Sequence, residues 1–178
     1  MPVINRIGVE GMGLEIIQAL NFYGRSLRRL DMLDILRVGS LELLEMVVKR
    51  EHTVPFLYPE SPEFQAIPEV FATGYMVGLM EWCCIRSLIP ALESGEGSLG
   101  TKININHIAA TPAGCCVKVE ATIKSIVGRQ ILWDVVVRDE LNLIGQGEIG
   151  RTIVQWNKFN EKLNEKNYNL ALLKKINN

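Results

Sequence analysis

The chain has 178 residues, a length that suits one domain, two at most, and allows a real core. Its hydrophobic fraction of 48% excludes a disordered chain, and its formal net charge of −1 offers no basic field for nucleic acid or an anionic membrane. The four cysteines stand as two adjacent pairs, Cys83–Cys84 and Cys115–Cys116. Neighbours in sequence rarely bridge, and neither C-x-x-C nor a Cys/His ligand cluster is present. The expectation is therefore no metal, and buried thiols packing as small apolar groups in a reducing cytoplasm. Charge runs through the first thirty residues, which argues against a signal peptide.

Residues 1–31 form an extension. Its "GVEGMG" has the wrong order for a phosphate-binding G-x-G-x-x-G loop. "LEIIQALNFYGRSLRRLDMLDIL" has helical spacing, and its arginines, like the lysines of "LLKKI" near the other end, read as solvated helix faces. Leu41 to Lys49 reads as a strand. "YPESPEFQAIPEV" is turn-rich, and Pro68 suits the first turn of a helix, where a missing N–H costs nothing. The helix that follows, "EVFATGYMVGLMEWCCIRSLIPALE", is apolar on nearly every side, so protein should surround it. Glu81 and Arg86 within it argue against a membrane span.

"ESGEGSLG" should stop this helix, and the period then changes to two. "TKININHIAA", "CCVKVEATIKSI", "ILWDVVVRD" and "LIGQGEIGRTIVQW" read as antiparallel strands joined by "TPAG", "VGRQ" and "ELN". Glycines 145, 147 and 150 suggest a bulge or sharp curvature in the last strand. From Lys158 the pattern is a polar amphipathic helix. The organisation is an extension over 1–31, a domain over 32–160 and a helix or tail over 161–178. The class is α+β, with an antiparallel sheet curling around a long central helix and room for pairing between two copies.

Three residues in this frame carry potential chemistry. Glu81 has no lysine or arginine three or four positions away, so its carboxylate needs a partner from outside the helix. It is a candidate general base, or else a structural acid bonded to a distant group. His107, one of two histidines, falls on the apolar side of its strand with Ile103, Ile105 and Ala109. Alone it reads as a core histidine; beside the helix carrying Glu81 it becomes a catalytic candidate. Thr73 is the third candidate, read on its own as a helix cap or a hydroxyl bonded back to an earlier carbonyl. Thr73 and Glu81 stand eight residues apart, about 12 Å along one helix. They cannot touch if both are helical, so Thr73 lies before the helix or the site mixes two subunits. Glycines 74 and 78 should let another backbone approach this helix.

"HTVPFLYPESPEF", "IPEVFATGYMVGLMEW", "GEGSLG", "HIAATPAG", "VGRQ" and "IGQG", in this order, resemble the fluoroacetyl-CoA thioesterase-like family of hot-dog-fold thioesterases, from about Met32 to Phe159. The resemblance implies a cytoplasmic homodimer that hydrolyses small acyl-CoA thioesters, with coenzyme A as part of the substrate and no separate cofactor. It implies catalytic roles for Thr73, Glu81 and His107, an oxyanion-binding N–H at Gly100, and substrate contacts from Arg151 and a lid bearing Phe64 and Ile67. The chain departs from the family pattern at Ile108, where a threonine is usual. It departs again at Ile67, where a second phenylalanine is usual, and in "EIGR", where a histidine is missing. A hydratase is disfavoured because Lys102 stands where the Asp-x-x-x-x-His pattern needs an acid. A non-catalytic acyl-CoA-binding module would have no need of the threonine, glutamate and histidine together.

Overall fold

The structure, a computed structural model, describes residues 36–176. The readings of residues 1–31 lie outside them. In chain order the elements are β1 (Leu41–Val47), α1 (Val54–Leu57), α2 (Pro62–Gln65), α3 (Thr73–Leu88), β2 (Glu96–His107), β3 (Cys116–Val127), β4 (Gln130–Arg138), β5 (Leu143–Gln155) and α4 (Trp156–Ile176). The five strands form one antiparallel sheet in the order β1-β3-β4-β5-β2.

Two-residue alternation makes this sheet one-sided. Val117, Val119, Ala121 and Ile123 of β3 are buried, as are Ile131, Trp133, Val135 and Val137 of β4. Against them α3 sets a stripe at helical spacing: Met76, Leu79, Met80, Cys83, Cys84 and Leu88. Each fully buried large side chain contributes roughly 1.5–3 kcal/mol relative to exposure. Trp133 keeps its polar end satisfied by donating from Nε1 to Ser87 Oγ at 3.1 Å. Close contact between layers depends on glycine at one point. A Cβ at Gly145 would stand 2.7 Å from Met76 Sδ.

Several expectations are corrected. The long helix starts at Thr73, not at Pro68. The residues between are held extended: Phe71 bridges Thr53 and Val70 bridges Pro112. Phe71 donates its N–H to Thr111 O, and Ala72 donates to His52 O. Burial of Phe71 fixes this path. The helix is also not surrounded within the chain: Tyr75, Gly78 and Trp82 on its outer side are exposed. Gly74 admits the Leu57 side chain rather than a backbone, and Gly78 faces open space. "GEGSLG" does not merely stop the helix; from Glu96 it is the start of β2. Cys83 and Cys84 are buried, whereas Cys115 and Cys116 are only half-buried, and all four are free.

The bulge expected in the last strand is present: β5 carries one extra residue, Ile144, beside Gly145 and opposite the Val137–Arg138 step of β4. Another extra residue, with no such signal, is Thr101 in β2, opposite the Arg151–Gly150 step of β5. It changes the phase of the alternation. Gly100 pairs with Arg151, and His107 pairs with Gly145. Arg151 and Gly145 both belong to the α3-facing set of β5. One inserted residue therefore turns both Gly100 and His107 toward the helix. β2 is also an edge strand. On its apolar side Ile105, His107 and Ala109 are half-buried, as the alternation suggests, whereas Ile103 is 53% exposed.

α4 begins two residues before the expected start. Its Trp156 ring covers Gly97, where a Cβ would collide with it at 2.0 Å. Beyond that turn its residues are largely exposed. Among the described residues no helix is long and apolar enough to cross a membrane.

Candidate active site

Thr73 is the first residue of α3, and Ala72 in extended conformation is its N-cap. That position aims the Thr73 side chain at the end of β2. Thr73 Oγ1 lies 2.8 Å from His107 Nδ1. The tautomer sets the direction of this bond: with the ring proton on Nε2 the Thr73 hydroxyl donates to Nδ1, and with the proton on Nδ1 the ring donates to the hydroxyl. Nε2 is buried and has no hydrogen-bond partner among the described residues. Burial lowers the His107 pKa from its ordinary value, the opposing influence being a backbone hydrogen bond to Ala109. The ring is thus kept neutral and able to accept a proton near neutral pH.

Glu81 sits two turns further along α3. Its partner is Arg151 of β5, whose Nη1 donates to Glu81 Oε1 at 2.6 Å. Arg151 is buried, at 5% exposure. The need for a partner from outside the helix is thereby met, by a residue 70 positions away in sequence. Gly100 lies directly against this carboxylate: a Cβ there would stand 2.5 Å from Glu81 Oε1. Only a glycine lets the β2 backbone pass so near. Glu81, Gly100, Thr101, Lys102 and Ile103 line one open groove at the sheet edge.

Within one chain these residues form two separate groups. Thr73 and His107 make the first; Glu81, Gly100 and Arg151 make the second. They are about 12 Å apart along the helix and about 20 Å apart along β2. Phe64 packs edge-on against Tyr58 with ring centroids 5.0 Å apart, and Ile67 is exposed. Arg50 fastens the segment carrying them to the chain before α1, donating from Nε and Nη2 to Glu69. Ile108 is half exposed just past His107.

The neighbouring thiols offer no rival nucleophile. Burial and the nearby Glu42 carboxylate push the Cys83 thiol up to about 11, and burial raises Cys84 too. Among the described residues no group of histidine, cysteine, aspartate and glutamate could hold a metal ion. Two features escaped the sequence reading. The Thr101 bulge has no local signature. Ser98, which accepts hydrogen bonds from Arg151, looked like an ordinary strand residue.

Comparison with known proteins places this chain among thioesterases. The family described as fluoroacetyl-CoA-specific thioesterase matches residues 48–157. A fluoroacetyl-CoA thioesterase from Streptantibioticus cattleyicolor is 50% identical over 135 residues, which cover 76% of this chain and 97% of that protein. A solved variant of a fluoroacetyl-CoA thioesterase, in complex with acetyl-CoA, is also 50% identical. It covers 74% of this chain and 98% of its own, with a TM-score of 0.72. A Thermus thermophilus thioesterase superfamily member is 27% identical, over 76% of this chain and 96% of its own, with a TM-score of 0.69. The fold is the hot-dog fold, an antiparallel five-stranded sheet packed on a long helix.

Proposed function

Because the chain belongs to the fluoroacetyl-CoA-specific thioesterase family, and so is a thioester hydrolase, we propose that it cleaves a small acyl-CoA thioester in two composite sites of a homodimer. Each site joins Thr73 and His107 of one protomer to Glu81, Gly100 and Arg151 of the other. The observation that carries this reading is the Thr73–His107 contact at 2.8 Å, with a buried Nε2 that has no partner among the described residues. A buried ring nitrogen without a hydrogen-bond partner is costly. A carboxylate from a second copy relieves it.

The edge position of β2 supports the same arrangement. Its exposed isoleucine and unpaired outer edge suit antiparallel pairing with a second copy. With Asn104 on the two-fold axis, Asn106 lies opposite the partner subunit's Lys102. His107 then faces the Gly100–Thr101 bulge of the second copy, beside its Glu81.

The chemistry proceeds from these positions. His107 Nδ1 takes the proton as the Thr73 hydroxyl, or a water held in its place, attacks the thioester carbon. Negative charge collects on the carbonyl oxygen. The N–H at Gly100 is placed to stabilise it, a role typically worth about 3–4 kcal/mol. Collapse breaks the C–S bond, and the imidazolium returns its proton to the leaving thiolate; where Thr73 attacked, a water deprotonated by His107 then cleaves the Thr73 ester, releasing the acid and restoring the hydroxyl. Glu81, fixed by Arg151, accepts from Nε2–H and stabilises the ring while it is charged. Phe64 and Ile67 cap the acyl end.

A panel of acyl-CoA esters, from acetyl to medium-chain and aromatic, read by release of free thiol, tests the proposal. Turnover is expected to be fastest with the small acyl groups. Release from none of the panel would refute it.

A further inference from the structure

Arg151 is held at three nitrogens, and two of its three acceptors belong to one residue. Nη1 donates to Glu81 Oε1 at 2.6 Å, Nε donates to Ser98 Oγ at 3.0 Å, and Nη2 donates to Ser98 O at 2.9 Å. The Ser98 backbone carbonyl is present whatever residue stands there. Its hydroxyl is the one acceptor for Nε that the side chain supplies. A guanidinium is planar, so fixing Nε and Nη2 on one edge also fixes the direction of Nη1. Ser98 lies two residues before Gly100, on the strand that passes within contact of the Glu81 carboxylate.

We propose that Ser98 is a positioning residue for the reaction: its hydroxyl orients Arg151, and Arg151 in turn sets the Glu81 carboxylate at the angle that meets His107 of the partner. This rests on the reading of Glu81 as part of the site. Ser98 itself touches no reacting atom. Without the hydroxyl, Arg151 keeps its charge and its backbone contact but can swing about the Nη2–carbonyl bond, carrying Nη1 and Glu81 with it. Small misplacements of a catalytic group cost rate far more than they cost stability.

The test is a set of single and double variants assayed on the fastest acyl-CoA ester. Ser98→Ala is expected to lower kcat about tenfold with KM little changed. Ser98→Thr, which retains the hydroxyl, should keep most of the native kcat, and this arm remains informative even where Ser98→Ala folds poorly. In a Glu81→Gln background, Ser98→Ala should cause no further loss, because the group it serves is already disabled. Native kcat in Ser98→Ala, a Ser98→Thr as slow as Ser98→Ala, or multiplying losses in the double variant would each overturn the inference. A Glu81→Gln enzyme as fast as the parent would instead remove the role of Glu81, and the inference would fall with it.

Discussion

Gly100→Ala separates catalytic geometry from folding. Gly100 is not among the glycines with positive φ, so its backbone accepts alanine. The obstacle is local: the new methyl would lie 2.5 Å from Glu81 Oε1 and 3.7 Å from Arg151 Nη1. An ordinary contact needs about 3.5 Å, so the carboxylate must retreat by about 1 Å. It is the far end of a flexible side chain and can do so. Arg151 is buried and Glu81 part-buried, so weakening their ion pair costs about 2 kcal/mol, or a Tm decrease of about 4–8 °C. A displacement of about 1 Å at a catalytic group costs on the order of a hundredfold in rate. Steady-state thiol release together with a thermal melt should therefore show kcat reduced by about two orders of magnitude in a protein that still melts near the parent. Native kcat in Gly100→Ala would refute the placement of Glu81 in the site. A collapse in Tm large enough to explain the lost rate would refute the reasoning about how the methyl is accommodated.

Two further outcomes follow from named contacts. The Thr73–His107 pair needs a neutral ring, and burial holds the His107 pKa below its ordinary value of 6.5. Protonation abolishes the acceptor at Nδ1, so activity is lost as pH falls through the His107 midpoint, which burial lowers and the proposed Glu81 carboxylate at Nε2 raises, and is flat above it. His107→Ala should remove this acid limb and lower kcat by a hundredfold or more; a pH–rate profile checks both. Trp133 is fully buried between the sheet and α3, so Trp133→Ala should cost about 3–5 kcal/mol in chemical denaturation.

The architecture was legible wherever burial follows a simple period. The alternation of Val117, Val119, Ala121 and Ile123 marks β3, and those side chains are the ones that pack on α3. Local spacing failed where long-range contacts prevailed. Pro68 looked like a helix start, but Phe71 and Ala72 are drawn into backbone bonds with Thr111 and His52, and the helix waits until Thr73. The candidate residues could be singled out one by one in the sequence, but their arrangement in space could not. Glu81 stood out for having no local partner, yet nothing near it in sequence points to Arg151; only the family resemblance brought that residue forward. The Thr101 bulge decides that Gly100 and His107 face the same helix, and counting along an ideal strand puts them on opposite sides. The eight-residue separation of Thr73 and Glu81 left two arrangements, Thr73 before the helix or a site mixing two subunits; Thr73 opens α3, and the proposed site follows the second.

The central claim, that each site is shared between two chains, is tested most directly by mixing two inactive proteins. His107→Ala and Glu81→Gln are each expected to be nearly inactive alone. Unfolded together and refolded at equal amounts, they should form mixed dimers as about half of the population, each with one intact site. The account predicts thiol release at about one quarter of the native rate. Mixed dimers that form and remain as inactive as the parents would contradict it.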